Sequence, residues 1–213
     1  MKLLKLLLLY KGILKVVSSI GNEKTGMHNN KMLDGNNMYP YTPELSNPET
    51  LKFIETLLAQ PIRPPKGVAI QSYAYHHQPL VVKTINTDYP NDECWYNCVD
   101  YSVSYGHKPV FGWAIWQAGP DTLVAQHHAV VDTGDCLLDV TLGPNFSSIL
   151  FVPDENAPFD FNELRFPFNF ELSREEKLWF AFEHTTDKFS IAKCVESERA
   201  KLIIKAGLDA GVI

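Results

Sequence analysis

Three side chains in this sequence can together build a thiol nucleophile: Cys94, His128 and Asp139. A cysteine attacks as its thiolate, a histidine takes the thiol proton, and a carboxylate orients the imidazole and stabilises the imidazolium. The cysteine lies in Glu93-Cys94-Trp95-Tyr96-Asn97-Cys98, the histidine in Gln126-His127-His128-Ala129-Val130, and the aspartate in Leu137-Leu138-Asp139-Val140-Thr141. Each has an ordinary alternative. A lone cysteine is commonly a small buried hydrophobe, and an aspartate on an edge strand is commonly solvated. The case for chemistry depends on local structure bringing the three together.

Helix position separates Cys94 from Cys98. The sequence predicts a helix from about Asp92 to Tyr105, with Asn91 or Asp92 as its N-cap and Gly106 as its stop. Cys94 then falls in the first turn, where unpaired amides and the positive end of the dipole favour a thiolate. Cys98 shares that face one turn further in, where the effect has faded. Glu93 beside it is expected to point outward.

Strand pleat separates the histidines. In a strand over Thr122–Asp132, His127 shares a face with Leu123, Ala125, Ala129 and Val131, an apolar and core-directed set. His128 shares the more polar face of Gln126, Val130 and Asp132, and is the one expected to meet the cysteine. The hairpin then selects the aspartate. With Thr133-Gly134 as a two-residue loop, His128 stands directly opposite Asp139. With Gly134-Asp135 as the loop, His128 faces Thr141 and Asp139 is its diagonal neighbour on the same face. A three-residue loop would put them on opposite faces. Within the apolar run Leu137–Val140, Asp139 needs a partner, and His128 is the nearest.

Other elements must hold these residues in place. Asn47-Pro48-Glu49 opens a helix: Asn47 caps, Pro48 suits the first position and Glu49 suits the dipole. Leu51, Ile54, Leu57 and Leu58 form its apolar stripe, read as core packing, and Pro61, Pro64 and Pro65 end it. Gly67–Tyr75 and Pro79–Ile85 read as strands. His76-His77 between them reads as a turn rather than a metal pair, because adjacent side chains in a strand point apart. After the cysteine helix come Pro109–Gln117, Thr122–Asp132 and Cys136–Leu142, a three-strand antiparallel meander. Ile149–Leu172 suggests one or two edge strands. Ser173-Arg174-Glu175-Glu176 reads as a capping box opening a helix to about His184, and a last helix is expected from about Asp187 to Lys205. The predicted class is α+β: a cysteine-bearing helix packed on an antiparallel β-sheet, with N- and C-terminal helices.

At 213 residues the chain is long enough for a substantial core, read as a single domain over 47–213 preceded by a helix and irregular linker over 1–46. The net charge of −6 gives no electrostatic case for nucleic acid. Four cysteines, Cys94, Cys98, Cys136 and Cys194, are too few for a disulfide scaffold and read as reduced thiols in a cytoplasm-like compartment. Met1–Ile20 is apolar, but Lys11 and Lys15 interrupt it after Lys2 and Lys5. It reads as a helix packed on the domain in preference to a signal, a membrane span or a basic membrane-surface segment.

Cys94-Trp-Tyr-Asn97, Gly112-Trp113-Ala-Ile115, His128-Ala-Val and Leu138-Asp139-Val-Thr141 together resemble bacterial and phage-borne domains of the papain-like and transglutaminase-like superfamily. The resemblance covers about fifty residues. It implies a cysteine-bearing helix on an antiparallel sheet, with Cys94 as nucleophile, His128 as general base and Asp139 as orienting residue. The chain departs from the papain pattern in having no matching upstream glutamine for an oxyanion hole. Asn86, Asn91, Asn97 and the Cys94 amide are the donors at hand. Trp113 is a further substrate-lining candidate, with core packing as its ordinary role.

The expectation is a thiol-dependent hydrolase or acyl transferase acting on a protein or peptide amide, in the manner of a peptidase, deamidase or transglutaminase, with no metal or cofactor. Two other classes compete. One is a binding or structural protein that keeps a papain-like core without turnover. The other is a zinc protein using Cys94, Cys98, His127 and His128.

Overall fold

The runs Lys108–Gly119 and Thr122–Asp132 are rich in β-branched and aromatic residues, and they form the two longest strands. Neither shows the alternation of a half-solvated sheet; both are buried almost continuously, as strands covered on two faces are. The reason is closure. In the computed structural model, which describes residues 40–60, 68, 71–142, 146–167, 170–175, 178–181, 191–194 and 196–213, five strands close into a small barrel. They are β1 (Leu80–Thr84), β2 (Lys108–Gly119), β3 (Thr122–Asp132), β4 (Leu137–Asp139) and β5 (Ser148–Pro153), in the order β2-β5-β1-β4-β3 with β3 returning to β2. All neighbours are antiparallel except β1 and β4, which run parallel. Beyond the barrel, β7 (Phe170–Glu175) adds to β3 and β8 (Leu178–Ala181) to β7, while β6 (Arg165–Pro167) pairs with β9 (Ile191–Lys193) in a separate ribbon.

Period-two alternation sorts the barrel into an inside and an outside. Val82, Val110, Ala114, Trp116, Val124, Val130, Leu137, Ile149 and Phe151 come from all five strands and make one cluster, the barrel interior. The intervening residues face outward; those of β2, β3 and β5 are covered by helices, while Val81 and Lys83 of β1 are exposed. α1 (Pro48–Leu58) is capped by Asn47, whose side chain accepts the Glu49 amide at 2.9 Å. It buries Phe53, Ile54 and Leu57 against Trp113, Ile115, Leu123, Ala125, Leu150 and Val152; each such side chain contributes about 2 kcal/mol of burial. α2 (Cys94–Tyr105) and α3 (Glu198–Asp209) cover the other end of the outer face with Cys98, Val99, Ala200 and Ile203 against Phe111, Ala129 and Val131.

The α+β class and the cysteine-bearing helix packed against the strands agree with expectation, and α1, β1, α2, β2 and β3 lie within a few residues of their predicted places. Several readings change. The sheet is a closed mixed barrel, not an open antiparallel one, because β1 inserts parallel to β4 and completes the circle. Residues 71–77 form no strand: they run irregularly into a turn. β5 is a barrel strand with neighbours on both sides rather than an edge. The predicted helix opening at Ser173 is instead β7 and β8, since pairing to β3 (Thr122 with Ser173, Ala125 with Phe170) overrides a local capping pattern. The last helix starts later than predicted, at Glu198 behind its cap Ser197, with β9 before it. The predicted helix over Met1–Ile20 lies outside the described residues.

Candidate active site

Cys94 is the first residue of α2. The residue before it, Glu93, takes the N-cap position without a capping side-chain bond, so neither Asn91 nor Asp92 plays that part. Glu93 is instead ion-paired with Arg199 at the start of α3. The same guanidinium donates to Asn97 Oδ1 at 2.8 Å and lies over the Tyr89 ring at 5.7 Å. One arginine from the C-terminal helix therefore fixes the start of the cysteine helix. Its place, a hundred residues from the cysteine in sequence, is invisible to a local reading.

His128 and Asp139 meet inside the barrel wall. His128 Nε2 lies 3.3 Å from Asp139 Oδ2. The approach misses hydrogen-bond geometry, yet neither atom has another partner, and both are sealed from solvent. The other carboxylate oxygen, Oδ1, accepts the Thr141 amide at 2.8 Å, so the aspartate is aimed. Burial disfavours a charged His128, but the Asp139 carboxylate and the Cys94 sulfur outweigh it and raise the imidazole to about 10. Cys94 is therefore near enough to act on the charge of His128 directly. The imidazole is thus the shared partner of thiol and carboxylate, drawn from α2, β3 and β4.

The hairpin that makes this possible pairs Val131 with Leu138 and Asp132 with Leu137, and Thr133 N donates to the Cys136 carbonyl at 3.0 Å. Gly134-Asp135 is therefore the loop, with Gly134 at φ +90°, a conformation that suits glycine. Asp139 is the diagonal neighbour of His128. The choice of face has a different cause from the one predicted. His128 does not point to a polar side; its face lines the barrel, with Val124 and Val130, while the His127 face meets the helices.

His127 is locked in the core. Trp95 Nε1 donates to its Nδ1 at 2.9 Å and its Nε2 donates to the Ala157 carbonyl at 2.7 Å. Burial lowers its pKa to about 4, so it stays neutral. Cys98 is fully buried, and burial, with the nearby Cys94 and Asp139, pushes its thiol well above the ordinary range. His127 is bonded at both nitrogens, and among the described residues the ligand atoms of Cys94, Cys98, His127 and His128 do not converge as a metal-binding group.

The other candidates are placed as follows. Asn97 is fully buried and donates to the Pro90 carbonyl at 2.7 Å and Thr141 Oγ1 at 3.2 Å. It ties α2 to the strand end that carries Asp139, and its amide is committed to that. Trp113 is fully buried, donating to Asp154 Oδ2 at 2.9 Å, and lines no open surface. Asn86 and Asn91 are exposed in the loop before α2. Of the candidate donors, the Cys94 amide is the one that adjoins the thiol. The trio itself is closed: Cys94, His128 and Asp139 are 6%, 5% and 0% exposed, with Phe159 and Phe166 in the cluster that contains Cys94. Trp95 packs on both rings, stacked on Phe159 at 4.8 Å and tilted against Phe166 at 4.4 Å.

Comparison with protein-family models, with curated proteins and with solved structures found no match.

Proposed function

We propose that the chain is a thiol-dependent hydrolase or acyl transferase acting on an amide of a protein or peptide, with Cys94 as nucleophile, His128 as general base and acid, and Asp139 as the residue that orients His128. What supports this reading most is a single relationship: one buried imidazole is shared by the sulfur of Cys94 and the Asp139 carboxylate, the latter at 3.3 Å. The papain-like and transglutaminase-like resemblance points the same way. In the proposed reaction the Cys94 thiolate forms a C–S bond to the amide carbonyl. The carbonyl oxygen takes the negative charge beside the free amides of the first turn of α2. The C–N bond then breaks and the imidazolium of His128 gives its proton to the leaving amine. The resulting thioester passes its acyl group to water or to a second amine, whose proton returns to His128.

A second reading is a binding or structural protein that retains this core without turnover. Closure of the trio favours it, since a substrate carbonyl reaches Cys94 only if the aromatic cover moves. Iodoacetamide labelling followed by peptide mapping separates the two. The enzyme reading predicts labelling of Cys94 at neutral pH that depends on His128. Labelling of Cys94 no faster than of Cys98, or unaffected by His128→Gln, would count against it and for the binding reading.

A further inference from the structure

A second cluster of reactive side chains lies away from the cysteine. One ring nitrogen each from His76 and His77 and one carboxylate oxygen of Asp154 all lie within 4.8 Å of one another. We propose that His76, His77 and Asp154 bind a divalent transition-metal ion of the zinc class, leaving a coordination position for water or a further ligand.

The turn explains how two adjacent histidines converge. His77 has φ +58°, a left-handed conformation that only a few per cent of non-glycine residues adopt. Its amide is held by the Pro153 carbonyl at 2.8 Å, next to Asp154. In this backbone the two rings do not point apart as they would in a strand; they stack, with centroids 3.6 Å apart and planes 28° from parallel. His77 Nε2 is 3.2 Å from Asp154 Oδ1. Ligand atoms around a tetrahedral zinc with bonds of about 2.0 Å stand about 3.3 Å apart, so this edge is already at coordination spacing. His76 Nδ1 accepts the Glu155 amide at 3.2 Å, so its lone pair is in place and its proton is on Nε2, the tautomer that a metal requires at Nδ1. Uptake exchanges that long bond for the metal.

Asp154 is built as a ligand. It is 1% exposed, and its carboxylate is oriented by Trp113 Nε1 at 2.9 Å on Oδ2 and by the Asn156 amide at 3.0 Å on Oδ1. Such outer hydrogen bonds fix a ligating group before the metal arrives. Both histidines are half-buried, so a path to solvent is open on their side. Two imidazoles and a carboxylate suit zinc and its neighbours better than magnesium or calcium, which take oxygen ligands. The ion would clip the turn before β1 to the end of β5.

The test uses the full chain without a histidine tag, stripped with EDTA, dialysed against zinc chloride and assayed for bound metal, with cobalt(II) absorption reporting the ligand field. We expect one zinc per chain, at least about tenfold weaker binding in both His76→Ala and His77→Ala, and a zinc-dependent rise in melting temperature that both variants lose. Cys94→Ala should bind zinc as the parent does. Circular dichroism checks that the histidine variants fold, which their partial exposure favours. No stoichiometric zinc in the parent, unchanged binding in both histidine variants, or loss of zinc in Cys94→Ala would each overturn the proposal.

Discussion

His128 and Asp139 touch at 3.3 Å although they are not cross-strand partners. The β3–β4 register pairs Val131 with Leu138, so the strands place Asp139 beside Val130 and bring it to His128 on the diagonal. A buried carboxylate whose second oxygen has no other partner is stabilised mainly by a charged imidazole. Asp139→Asn keeps the acceptor for the Thr141 amide, removes the charge, and sets an NH2 donor where Oδ2 faces His128. We expect about 3 kcal/mol of lost stability by urea denaturation. Any Cys94-dependent acyl transfer should fall by at least about a hundredfold, as when a triad histidine loses its orienting carboxylate.

The two histidines give opposite pH signatures. His128 is raised from 6.5 to about 10, so the folded state holds its proton more tightly than the unfolded one. Its contribution to stability is complete below about pH 6.5 and is lost as pH rises through about 10. His127 is lowered to about 4, so the unfolded chain takes the proton first, and stability falls as pH drops from 6.5 toward 4. Melting curves should therefore show an alkaline decline that is smaller in His128→Gln and an acid decline that is smaller in His127→Gln.

Gly112 has no room for a side chain. A Cβ there would stand 2.2 Å from the Val152 carbonyl oxygen and 2.9 Å from the Pro153 Cα, both backbone atoms of the paired strand β5. Gly112→Ala must push β2 from β5. We expect a loss of about 2 kcal/mol or more, read as a lowered denaturation midpoint.

The four thiols should differ sharply. Cys136 is exposed at the β3–β4 turn and should label with a maleimide as an ordinary surface thiol. Cys98, fully buried and held as a thiol, should label only on unfolding. Peptide mapping over a time course checks the order, and early labelling of Cys98 would show that α2 detaches from the barrel.

Local signals were readable wherever the chemistry is local. The Asn47 cap, the start of α2 near Cys94 and the turn at Gly134 follow from neighbours in sequence, and so does the pairing of His128 with Asp139 within one hairpin. Long-range closure left no such trace. Nothing near Leu80–Thr84 states that this strand runs parallel to β4 and seals a barrel, and that closure makes both faces of β3 apolar. The preference for His128 over His127 thus rested on a polar face that is in fact an interior. The capping pattern at Ser173 lost to pairing with β3. Arg199 and Asp154 act across more than seventy residues, on Glu93 and His77, and a left-handed His77 turned two adjacent histidines toward one carboxylate.

On the proposed reading, Cys94 is a nucleophile worked by His128. The most direct measurement is acylation by an activated ester such as p-nitrophenyl acetate, in a Cys136→Ser background, with the acylated residue located by mass spectrometry. Acyl transfer to Cys94 followed by release is expected, with acylation slowed by about a hundredfold or more in His128→Gln. An acyl group found on cysteines other than Cys94, or equal Cys94 acylation rates with and without His128, would contradict it.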